Sequence, residues 1–201
     1  MAGINMVKRA DQFSSPSRQL MWDRVGGTAA GAQIAEDDPV RNRPHLYAAN
    51  GAPVTINRVG PVTRLRINGV MIDVNFASGE CALMAKYPPG ASQPNNTPIT
   101  LTFDAPVLGI GGYLSILGDQ QLYDGRGLHG VMWVLLTGDP EWKLAYGDGI
   151  TGTAMVAGSV PTAPFVGAEA TGGARIQAAC FDASLAGNFD RLVLSRLYWI
   201  A

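Results

Sequence analysis

The sequence predicts an all-β fold: a two-sheet antiparallel β-sandwich of jelly-roll type with an irregular N-terminal arm. Three observations carry this. From residue 45 onward, short runs with alternating apolar and polar residues recur at roughly the 8–12-residue spacing of a sandwich or barrel. Gly 25 and Pro 13 are high counts for 201 residues and suit a turn-rich β domain. Helical periodicity and internal repeats are absent over the same stretch, which excludes a propeller or solenoid.

Residues 1–44 form the arm and 45–201 the sandwich. The arm holds KRADQ, SSPSRQ, VGGTAAG and EDDPVRNRP with little alternation. One short helix fits there: Ser15 as its cap, Pro16 at its first position, Leu20, Met21 and Val25 on its apolar side, Gly26 at its end. The rest of the arm reads as a covering strap. In the sandwich, VTRLRIN sets Val62, Arg64 and Arg66 against Thr63, Leu65 and Ile67. GVMIDVNF places Val70, Ile72, Val74 and Phe76 on one side, and PITLTFD does the same with Ile99, Leu101 and Phe103. Asp104-Ala105-Pro106 then turns the chain. Gly109, Gly111 and Gly112 have no side chains to pack and mark a bulge or a close approach of another backbone. GVMWVLLT is apolar on both sides, so it reads as a central, well-covered strand. EWKLAYG, TGTAMVAG, ARIQAACF and RLVLSRLYWI supply further strands, about ten or eleven in all. The expected core is Val70, Ile72, Val74, Phe76, Leu101, Phe103, Ile110, Val131, Trp133, Leu135, Phe165, Leu194 and Leu197.

Apolar residues make up 47% of the chain and charged residues 15%, ample for a core and too little charge for global disorder. A net charge of −1 favours neither nucleic acid nor an anionic membrane surface. The N-terminus has no signal-peptide core, so export is unsupported by this chain as it stands. The longest strongly apolar run, Val131–Leu136, is far short of the ~20 residues a spanning helix needs. Cys81 and Cys180 both sit in strand-like runs, either as buried thiols or as a bridge between distant strands.

Several motifs invite chemistry. GDGITG, residues 147–152, matches the dinucleotide pattern formally, but no helix pattern follows it, and a glycine-rich hairpin connection accounts for it better. His45 and His129 have no ligand partners at metal spacing, and His129 opens a strand. AGSVP lacks the spacing of a nucleophile elbow. Glu80, Asp119, Asp124, Glu141 and Asp148 are candidates for a carboxylate pair acting on a glycosidic bond, but nearly all sit at turns, where carboxylates serve local hydrogen bonding. Asp119 and Asp124 share one loop and are the candidate ligands for a structural calcium, the one cofactor the sequence suggests. Trp142, Tyr146, Tyr123 and Asp124 are the candidate ligand-binding set: flat rings beside a polar loop, suited to the apolar face of a sugar. Asn95-Asn96-Thr97 is a glycosylation sequon that matters only in a secretory pathway.

Three passages occur in a telling order: NFASGECALMAKYPP (75–89), TPITLTFDAPVLGIGGYLSI (97–116), and TAPFVGAEATGGARIQAACFD (162–182) followed by LVLSRLYWI. Together they resemble the secreted β-sandwich domains of bacterial PEP-CTERM proteins. Phe103, Pro106, Val107 and Gly109 match one pattern of that group, and Phe165 and Gly167 another. The resemblance covers about residues 70–200, without the signal peptide and the C-terminal sorting tail. It implies a jelly-roll-like sandwich with surface or carbohydrate roles and carries over no catalytic residue.

The expected function is a non-enzymatic binding module at a surface, with carbohydrate as the ligand class. The alternatives are a structural or decoration component of a virion or other assembly, with residues 1–44 contacting other subunits, and a carboxylate-dependent glycoside hydrolase. The partners expected are other protein subunits or carbohydrate, with no nucleic acid and no membrane insertion.

Overall fold

The computed structural model describes residues 2–20, 22, 33–34, 46–47, 53–57, 62–66, 81–86, 98–117, 129–150, 163–184 and 191–201. Fourteen strands lie among them: β1 (Gly3–Val7), β2 (Arg18–Leu20), β3 (Gln33–Ile34), β4 (Leu46–Tyr47), β5 (Pro53–Asn57), β6 (Val62–Arg66), β7 (Cys81–Lys86), β8 (Ile99–Val107), β9 (Gly109–Leu117), β10 (His129–Leu136), β11 (Trp142–Ile150), β12 (Phe165–Thr171), β13 (Ile176–Ser184) and β14 (Arg191–Ile200). The first sheet runs β1-β12-β9-β14-β7-β6-β3, with β2 also paired to β14. The second runs β11-β10-β13-β8-β5-β4. All pairings are antiparallel, so the chain is an all-β, two-sheet sandwich.

The jelly-roll topology follows from the last eight strands. β7 pairs with β14, β8 with β13, β9 with β12 and β10 with β11. That nesting of first with last is a long hairpin rolled up, and it assigns its strand pairs alternately to the two sheets. β1 extends the first sheet beyond β12, while β6 and β3 extend it beyond β7.

The core lies between the sheets. Leu83, Ile110, Leu114, Val166, Leu194, Leu197 and Trp199 from the first sheet meet Val54, Ile99, Leu101, Phe103, Met132, Val134, Leu136 and Phe181 from the second. β8 shows the alternation read from its sequence, with Ile99, Leu101 and Phe103 buried and Asp104 exposed. Val70, Ile72, Val74 and Phe76 fall outside the described residues.

Two irregularities set how the strands lie. Asp104-Ala105-Pro106 does not turn the chain, as the sequence suggested; it bulges within β8. Thr102 pairs with Ala178 and Val107 with Ile176, so residues 103–106 face Gln177 alone on the β13 side. Proline is tolerated there because a bulge has no ladder bond for its missing N–H. The change of sheet comes one step later, at Leu108, whose N–H donates to Ile200 O (2.8 Å) and whose carbonyl accepts from Ala170 N (2.8 Å). In β14, residues 195 and 196 stand opposite Tyr113 alone, between the pairs Leu194↔Leu114 and Leu197↔Gly112. This bulge resets the phase: Leu192 and Leu194 face the core before it, Leu197 and Trp199 after it.

The N-terminal segment departs from its expected form. Where a helix capped by Ser15 fits the sequence, Arg18–Leu20 is a strand paired with Leu197–Trp199. The gain of a free edge on β14 outweighs a marginal isolated helix. Ala10–Gln12 forms one short 3-10 turn instead. The segment is a strap in the sense that it crosses the sheet. β1 lines one side of β12, residues 8–17 pass outside β12, β9 and β14, and β2 enters on the far side of β14. Leu20 and Trp22 then reach the core.

Phe13 is the strap's contact with the sheet. It packs with Val7, Phe165 and Ile200, and its ring lies on Gly109, where a Cβ would come 3.0 Å from it. Phe165 lies over Gly111 and Gly167 in the same way: a Cβ at Gly111 would fall 2.5 Å from its ring. These glycines are seats for aromatic rings. Ser14 donates from its N–H to Glu169 Oε2 (3.0 Å) and from its hydroxyl to Glu169 Oε1, which satisfies a nearly buried carboxylate.

Candidate functional site

The second sheet is different on its outer face. In β10 the inward residues are Met132, Val134 and Leu136, which leaves Val131, Trp133 and Leu135 outward. Trp133 is 37% exposed, and Leu135 is half-buried. This corrects the expectation that both belong to the core and that the strand is covered on both sides. The strand is apolar on both faces, so its own pattern carries no phase. Its neighbours fix it: Met132 pairs with Phe181 and Val134 with Ala179, both core residues.

β11 places Trp142 opposite Leu135, Leu144 opposite Trp133 and Tyr146 opposite Val131. Residues directly opposite share a face, so Trp142, Leu144 and position 146 join Trp133 on the outer side. Trp142 is 41% exposed. The two tryptophans are diagonal neighbours on adjacent strands, a relation that spans about 7–8 Å and lies within reach of aromatic side chains. The next strand inward brings Ala178, Cys180 and Asp182 opposite Leu135, Trp133 and Val131, and β8 follows with Thr102 and Thr100. The result is an indole pair at the β11 edge, flanked by small and hydroxyl-bearing side chains.

The turn before Trp142 is fixed by local chemistry. Gly138 takes a positive φ of 76°. Asp139 Oδ1 accepts from Glu141 N (3.0 Å), and its Oδ2 takes an ion pair from Lys143 Nζ (2.9 Å). That hydrogen bond from Lys143, then the one from the Glu141 N–H, hold the Asp139 carboxyl below its ordinary range. Thr137 bonds the carbonyl of Arg175 through both its N–H (2.8 Å) and its hydroxyl (2.9 Å), tying the turn to the β12–β13 connection. Trp142 therefore leaves a braced turn, with the exposed Glu141 beside it.

Of the predicted ligand set, the structure places Trp142 on this face and position 146 in its register; the side chain of Tyr146, with Tyr123 and Asp124, lies outside the described residues. Asp119, the other calcium candidate, is outside them too, as are Glu80 and His45. Among the described residues, no three His, Cys, Asp or Glu side chains converge as a metal site would require. Of the carboxylates considered for glycoside hydrolysis, Glu141 alone has a described side chain. Its neighbour Asp139 is already engaged by Lys143 and the Glu141 N–H. His129 opens β10 as expected, and Gly147–Ile150 of the GDGITG motif lies inside β11 rather than in a hairpin connection or a phosphate loop.

The cysteines are free. Cys81 faces the core from the first sheet, whereas Cys180 pairs with Trp133 on the outer side of the second. Burial pushes the Cys180 thiol up; a Thr100 hydrogen bond works against this and the Asp182 charge adds to it. Cys180 thus stands beside Trp133 as a protonated thiol, a small side chain in the same face. Trp133 is the exposed aromatic of this face that the sequence reading placed in the core, hidden by equally apolar neighbours. Among the described residues, no helix is long and apolar enough to cross a membrane. Comparison with protein-family models, with curated proteins and with solved structures finds no match for this chain.

Proposed function

We propose that this domain is a non-enzymatic binding module for carbohydrate, with the outer face of the second sheet around Trp133 and Trp142 as its platform. One observation carries the reading: two large indoles stand more than a third exposed, in diagonal register, on a strand pair whose other face puts Met132, Val134, Leu136 and Ala145 in the core. Exposing that much aromatic surface on a rigid sheet stabilises nothing in the monomer, whereas flat rings with a polar rim suit the C–H faces and hydroxyls of a pyranose. Asp182, Thr100 and Thr102 occupy the same side on the neighbouring strands. A surface role, as the PEP-CTERM resemblance implies, is part of the same proposal.

The test is a glycan array followed by calorimetry on the wild-type chain and on Trp133→Ala and Trp142→Ala. Each substitution is expected to weaken binding by about tenfold or more while the fold is retained. No ligand across a broad panel, or unchanged affinity in both variants, overturns the proposal. Selective capture of a protein by this face would replace it with a protein-docking role.

A further inference from the structure

The strap over the first sheet is held as an added strand is held, and we infer that it exchanges between two copies of this chain. β1 pairs with β12 residue for residue, from Gly3↔Thr171 to Val7↔Gly167. Phe13 occupies the seat made by Gly109, Phe165 and Ile200. Ser14 gives both its donors to Glu169. A strand edge, an aromatic seat and a carboxylate recognise chemistry and not chain connectivity, so Gly3–Ser14 of a second copy meets the same partners.

The connection to the rest of the chain supports this. Ser15 and Pro16 are exposed, and residues 15–17 make no hydrogen bond to the body among the described residues before β2 begins at Arg18. A short, proline-containing link between the anchored Ser14 and the paired strand β2 is the kind of hinge at which swapping is favoured. Two chains that each lend the segment to the other form a closed twofold dimer that keeps every contact of the monomer. Exchange of Gly3–Ser14 is thus the way in which this segment serves assembly. This inference rests on the first sheet alone and stands or falls separately from the tryptophan face.

A Cβ built on Gly3 falls 3.3 Å from Thr171 Oγ1, so cysteines at this pair are within disulfide reach. In a Cys180→Ser background, the Gly3→Cys/Thr171→Cys double variant should close that bridge. An equimolar mixture of the two single variants, incubated concentrated and then oxidised, should yield a covalent heterodimer. Light scattering of the wild-type chain should show a dimer fraction that rises with concentration and falls when a short Gly-Ser insert follows Ser15. A double variant that closes within one chain, with a mixture that stays uncross-linked even after joint refolding, overturns the inference. Should the double variant fail to close, light scattering decides: a wild type that remains monomeric at every concentration overturns it equally.

Discussion

The two outer faces of this sandwich carry similar aromatic residues and treat them in opposite ways. On the first sheet, Phe165 meets Phe13, Tyr113 and Tyr198 edge to face, with ring centroids 6.1, 5.2 and 5.6 Å apart. The strap closes over this cluster, and glycines beneath it make room for the rings. On the second sheet, no described segment closes over Trp133 and Trp142, which are 37% and 41% exposed. The first set is architecture because the chain supplies its own lid. The second is the better site candidate because its two indoles stand more than a third exposed. What distinguishes them is not residue type or strand position but whether another segment of the same chain arrives on top.

The largest expected effect tests that contrast directly. Phe165→Ala removes the centre of the covered cluster and should cost about 3–5 kcal/mol, as buried aromatic truncations do. Trp142→Ala on the second sheet should cost less, about 1–2 kcal/mol, since 41% of the residue is already in water and only the remainder of its contact is lost. Urea denaturation of both variants measures the difference. Equal losses would mean that the tryptophan face is packed as tightly as the other and would remove the ground for calling it a site.

A smaller effect comes from the seat itself. Gly111→Ala puts a methyl 2.5 Å from the Phe165 ring and 2.9 Å from the backbone of Gly167, so either ring or strand must shift. Overpacking of this kind should cost about 1–3 kcal/mol. It should also loosen the strap, seen as faster amide exchange at residues 8–14. Unchanged exchange there would show that the strap is held by β1 and β2 alone.

How far the sequence foretold these faces depends on how local each cause is. Ile99, Leu101 and Phe103 declare their face because threonines alternate with them, and the structure agrees. Trp142 stands out beside a polar turn and is legible for the same reason. Trp133 is not, because Val131–Leu136 is apolar throughout and its phase is set by pairing with β13, distant in sequence. Arg18–Leu20 was open to a helical reading because its strand partner lies at the far end of the chain. The glycines at 109 and 111 suggest a close approach of another backbone, but the groups nearest them are the rings of Phe13 and Phe165, which come from segments distant in sequence.

The smallest effect concerns the turn that presents Trp142. The Lys143 hydrogen bond, with the Glu141 N–H second, lowers the Asp139 pKa from its ordinary value of 3.8. A carboxyl with a depressed folded-state pKa contributes stability that is complete above the unfolded value and is lost as the pH falls through the folded one. The window therefore lies below pH 3.8. Solvent screens the pair, so its share of the global stability is small and shrinks further in salt. Asp139→Asn removes the titration but keeps an oxygen that can accept from Glu141 N. Thermal unfolding of wild type and variant, followed from neutral pH into that window, should show their stability difference narrowing as the pH drops. A difference that stays constant would mean that the Asp139–Lys143 pair contributes nothing to the turn, and that Trp142 is positioned by the strand register alone.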